Sequence, residues 1–63
     1  MNMDALQKWL GIIDRQLVIQ RSGLSAPTLS RLANGHSCQY RTILAAYAAV
    51  VAIVKEAQAE LEG

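Results

Sequence analysis

The chain has 63 residues, of which 52% are apolar, 5% aromatic and 17% charged, and its formal net charge is +1. That balance excludes an intrinsically disordered tail, which is poor in apolar residues and rich in net charge. Cys38 is the one cysteine, which excludes a disulfide scaffold and points to a reducing, cytoplasmic setting.

A chain of this length is expected to form a single domain, residues 1–63. Below roughly 70–80 residues one core seldom supplies more than about 3–5 kcal/mol. With no disulfide and no metal cluster to help, association is the remaining stabiliser, and a dimer is expected. The first residues carry Asp4 and no basic-then-apolar run, so no signal peptide is expected.

The small net charge hides an asymmetry. Arg15, Arg21, Arg31 and Arg41 fall in a stretch, residues 15–54, that contains no Asp or Glu. The acids lie outside it: Asp4 and Asp14 before, Glu56, Glu60 and Glu62 after. A basic centre with acidic ends is what a small module shows when one face meets a polyanion, although four arginines can also be solvated surface.

Residues 4–13 read as a short helix. Asp4 followed by Gln7 resembles a capping box, with Asp in place of the usual Ser or Thr. Leu6, Trp9, Leu10 and Ile13 follow the i, i+3, i+4, i+7 spacing of one buried face, and Trp9 reads as core. Asp14 can cap a second helix over residues 15–22, because its carboxylate can accept from the open backbone donors of the first turn. Gly23 ends that helix, since glycine tolerates the left-handed backbone a helix stop needs. Ser25 caps a third helix from Ala26 to about Ala33. Pro27 falls in its first turn, where a missing N–H costs little. Leu29 and Leu32 share one face, and Asn34-Gly35 stops the helix. Residues 35–39 have no apolar period and read as a loop.

From Tyr40 to Glu62 the pattern is one long helix without internal Gly or Pro. Ile43, Leu44, Tyr47, Val50, Val51 and Val54 form its main apolar stripe, and Ala46, Ile53 and Ala57 extend it sideways. Its unbroken apolar run, Ile43 to Val54, is 12 residues. A membrane span needs about 20, so the segment reads as a buried helix and no membrane partner is expected. A helix apolar around most of its circumference needs cover on two sides. Its own domain covers one, and a second subunit is the simplest cover for the other, through Tyr47, Val50, Ile53, Val54 and Ala57.

Two short helices joined by a tight glycine turn, the second capped by Ser, give a helix-turn-helix outline. The run from Val18 to Gly35, with Gly23, Leu24, Ser25, Thr28-Leu29-Ser30-Arg31-Leu32 and Asn34-Gly35 in register, resembles the DNA-binding motif of the phage Cro and repressor proteins. The resemblance is close over about 20 residues and loose over the remaining plan. It implies an all-α fold, a small Cro- and lambda-repressor-like bundle of four to five helices with a long apolar C-terminal helix. One departure is plain. The family usually has a small residue where this chain has Ile19, because the two helices cross closely there. Ile19 must either face slightly away or widen the crossing.

The resemblance implies that the third helix enters the major groove, which is wide enough to admit a helix. Its base-reading positions fall on Ser25, Ala26, Pro27, Thr28 and Arg31. With Leu29 and Leu32 inward, the advance of about 100° per residue puts Pro27 and Arg31 on the opposite face, flanked by Thr28, Ser30 and Asn34. Arg31 can donate two hydrogen bonds to guanine O6 and N7, a pairing worth about 1–3 kcal/mol of discrimination; its alternative use is a phosphate contact. Ala26 and Pro27 can touch a thymine methyl or set the approach distance. Backbone contacts fall to Arg15 and Gln16 at the start of the second helix, where open N–H groups favour an anion. The loop side supplies His36, Ser37, Gln39, Tyr40 and Arg41.

His36 and Cys38, two residues apart, cannot fill a tetrahedral zinc shell, so neither a metal nor a cofactor is expected. No nucleophile is paired with a base, and no catalytic residue is assigned. The expectation is a homodimeric repressor binding double-stranded DNA at an inverted repeat, its readers about 34 Å apart. Origin in a phage or other mobile element is implied by the resemblance alone. The rival is an antitoxin- or inhibitor-like module that docks a larger protein through its apolar C-terminal helix.

Overall fold

A computed structural model describes residues 3–62. Among them the protein is all-helical, with four helices and no strand: α1 (Met3–Ile12), α2 (Arg15–Ser22), α3 (Ala26–Ala33) and α4 (Tyr40–Glu62). The boundaries follow from local chemistry. Asp14 Oδ1 accepts from the Gln16 backbone N–H at 2.9 Å and caps α2. Gly23, at φ 75°, ends α2 while its N–H donates to the Ile19 carbonyl at 2.9 Å. Ser25 Oγ accepts from the Thr28 N–H at 3.4 Å and caps α3.

The end of α3 is a Schellman stop. The Gly35 N–H donates to the Leu32 carbonyl at 3.1 Å, and the His36 N–H donates to the Arg31 carbonyl at 2.9 Å. Gly35 lies at φ 81°, the left-handed conformation this motif needs.

The core is a single cluster of eight buried side chains: Leu6 and Leu10 of α1, Val18 of α2, Leu29 and Leu32 of α3, and Ala46, Ala49 and Val50 of α4. α2 packs along α4, and α1 bridges α3 and α4. Ile19 is half-buried and packs against this core. Leu24, Ile13 and Cys38 close the rim of the same cluster.

Four expectations need correction. Helix α1 begins at Met3, which places Asp4 inside its first turn and not at the cap. Gln7 lies near the α3 stop: a Cβ built on Gly35 would meet Gln7 Nε2 at 3.4 Å. Trp9 is not core; it is 41% exposed, because Leu6 and Leu10 take the inward positions of so short a helix. Helix α4 is not buried around its circumference. It buries Ala46, Ala49 and Val50, with Ile43 and Ile53 packed alongside, while Leu44 and Tyr47 are exposed. The inward line of α4 is thus the small-residue line that the sequence placed at its flank. Alanines at the contact let neighbouring helix axes approach closely. Finally, Val50, expected to be shared with a second subunit, is only 4% exposed and belongs to the chain's own core.

At 23 residues α4 is long and apolar enough, by length and composition, to cross a membrane. In the bundle it is the scaffold on which α1 and α2 rest.

Candidate nucleic-acid interface

The three residues Gly23-Leu24-Ser25 join α2 to α3, and the two eight-residue helices pack on each other. Leu29 and Leu32, both fully buried, fix the inward side of α3. Its other side is therefore outward. Ala26, Pro27, Arg31 and Asn34 are exposed, and Thr28 and Ser30 are half-buried beside them.

Two hydrogen bonds shape this face. Ser25 and Thr28 share a hydroxyl–hydroxyl bond at 2.9 Å, which makes a closed cap at the start of α3. Arg15 Nη1 donates to Ser30 Oγ at 2.9 Å and ties the first residue of α2 to the middle of α3. Arg15 therefore stands at the edge of the α3 face, beside exposed Gln16. Asp14, just before α2, has a carboxylate oxygen engaged in capping that helix.

The segment after α3 supplies a second wall. Thr28, Arg31, Ser37, Cys38, Gln39 and Thr42 line a hollow of about 320 Å³ between α3 and the start of α4. His36, Tyr40 and Arg41 are exposed around it. The Gln39 carbonyl accepts from the N–H groups of Thr42 and Ile43, at 3.0 and 3.1 Å, and opens α4. No acidic residue occupies its first turn.

All the positions expected to touch DNA are thus exposed or half-buried, on α3, at the start of α2 and around the start of α4. Three features escaped the sequence reading. Cys38 and Thr42 line the hollow, which forms only because a loop without apolar periodicity folds across the end of α3. Arg21, counted in the basic stretch, pairs with Glu56 of α4, both about half-exposed. The pair clamps α2 to α4 and withdraws one arginine from the basic face. Lastly, Trp9 and Tyr47 line an apolar groove between α1 and α4 together with Val50, Val51 and Val54.

Among the described residues, the fold and this surface define a small four-helix protein presenting a capped, outward-facing helix beside a polar loop. No family model, curated protein or solved structure matches the chain.

Proposed function

We propose that this chain is a sequence-specific double-stranded DNA-binding regulator of the Cro-like helix-turn-helix type, working as a homodimeric repressor that occupies its operator. The reading rests on one observation above others: α3 is capped, anchored by Leu29 and Leu32, and turns Ala26, Pro27 and Arg31 to solvent. The charge distribution supports it, since residues 15–54 carry arginines and no acid. A helix presented this way has the width the major groove admits. Arg31 is the residue suited to read a guanine, while Arg15, Gln16, His36, Gln39, Tyr40 and Arg41 are placed to hold phosphates and fix register. Origin in a phage or other mobile element belongs to the same resemblance.

Binding-site selection from random duplexes, followed by fluorescence anisotropy at several salt concentrations, tests the proposal. The expected result is an enriched inverted repeat whose affinity falls steeply with salt. Recovery of no sequence, with no binding at low salt, overturns it.

The apolar groove beside Trp9 and Tyr47 favours a second reading, an antitoxin- or inhibitor-like module docking a larger protein. Under that reading Arg31→Ala leaves function intact, and substitutions in the groove abolish it.

A further inference from the structure

The outward side of α4 carries a second pattern, which shares only Val54 with the residues packed on the core. Leu44, Tyr47, Val51, Val54, Gln58 and Leu61 follow one another at spacings of three and four, the heptad seam of a coiled coil. Leu44, Tyr47 and Leu61 are 42%, 40% and 88% exposed, Gln58 is exposed, and Val51 and Val54 are half-buried. This seam runs beside the inward line of Ala46, Ala49 and Ile53 and touches the core at Val54.

We propose that the second helix is α4 of another copy, packed antiparallel about a two-fold axis that passes between Val51 and Val54. In this register every seam residue meets a suitable mate. Leu44 meets Leu61 of the second copy, Tyr47 meets Gln58 and Val51 meets Val54, and the symmetry repeats each pair. The apolar residues meet apolar ones, and the phenol is given an amide to bond. A two-fold antiparallel pair also brings the same flank of each helix together. There Arg41 falls within about one helical turn of Glu62 of the second copy, opposite in charge, at both ends of the seam. Both residues are exposed. Self-complementarity of this kind is what an isologous contact requires. Trp9, walling the groove beside Tyr47, adds apolar surface to the seat.

This pairing deepens the two-copy regulator proposed above and rests on that reading for its use. The same register also spaces the two DNA-facing surfaces. Thr42, which lines the same hollow as Arg31, and its symmetry mate lie about 32 Å apart along the pair, from the helical rise per residue. Successive major grooves on one side of a duplex recur every 34 Å or so.

The test needs no DNA, so its failure is separate from failure of the regulator reading. In a Cys38→Ala background, Leu44→Cys/Leu61→Cys should oxidise to a covalent dimer. The two positions within one chain stand about 26 Å apart along the helix, too far to bridge. Leu44→Cys alone should stay uncrosslinked. A second arm uses charge reversal read by sedimentation equilibrium. Arg41→Glu and Glu62→Arg should each weaken dimerisation on the order of tenfold by placing like charges together at both ends. Arg41→Glu/Glu62→Arg should restore it. Rapid crosslinking of Leu44→Cys alone, a double reversal no tighter than the singles, or a wild-type chain monomeric at millimolar concentration overturns the proposal.

Discussion

Arg31 concentrates the question of sequence preference in one side chain. It is exposed on α3, bordered by Ser30, whose hydroxyl is already engaged by Arg15, and by the hollow that Thr28 and Thr42 line. Its neighbours Ala26 and Pro27 have no side-chain donor or acceptor, so they cannot share the reading of a base edge. Arg31→Ala is therefore expected to cost about 1–3 kcal/mol on the selected site and little on random duplex, which flattens preference at one base pair. Arg15→Ala should instead weaken all duplexes alike and reduce the salt slope by about one. Competition anisotropy with selected and scrambled duplexes at two salt concentrations measures both. Equal losses on both duplexes for Arg31→Ala would move that residue to the phosphate-holding set. At this scale the sequence was informative where neighbours constrain one another. Leu29 and Leu32 fix which way Arg31 points. It was less so for Trp9, whose place depends on how far α1 lies across α4, a tertiary fact no local spacing carries.

Elements were legible through their ends. Asp14, Gly23, Ser25 and Asn34-Gly35 are local signals, each acting on backbone groups within a turn of itself, and α2 and α3 begin and end where those signals place them. The glycines turn this into opposed predictions. Gly11 lies inside α1, and a Cβ there meets no atom within 4 Å. Gly11→Ala should stabilise the fold by about 0.5–1 kcal/mol, since glycine is a poor helix residue. Gly23 has equally open surroundings but a φ of 75°, so Gly23→Ala should cost about 1 kcal/mol through the backbone alone. Urea denaturation at fixed protein concentration checks the pair; matching signs would refute the helix-end assignment.

The faces of α4 were harder to read. From Ile43 to Val54 nearly every residue is apolar, so periodicity alone could not say which line faces inward. Packing decides it in favour of Ala46 and Ala49, whose small side chains fit against neighbouring helices. Ala46→Leu should accordingly destabilise the fold by about 1–3 kcal/mol through overpacking. Leu44→Ala, on the opposite seam, should leave the dilute monomer's stability nearly unchanged. Denaturation of both variants at low micromolar concentration separates the inward line from the outward one.

At the scale of the whole molecule, the eight buried side chains among the described residues make a small core. Three of them are alanine or the single α2 valine. The exposed seam of α4 is apolar surface that the isolated chain leaves in water, and pairing removes it. If folding and association are coupled in this way, stability must follow concentration by mass action, because dilution favours the dissociated, less stable chain. Each tenfold rise in concentration adds about 1.4 kcal/mol per dimer, which for a chain of this size should raise the melting temperature by roughly 3–5 °C. Val51→Glu places a charge beside the two-fold axis, where its mate is Val54. It should remove most of that dependence while keeping the helical circular dichroism of the dilute wild-type chain. Melts followed at 222 nm over a thousandfold range of concentration provide the measurement. A wild-type melting temperature constant across that range would mean that the small core suffices by itself, and the exposed seam would then have no part in holding the fold together.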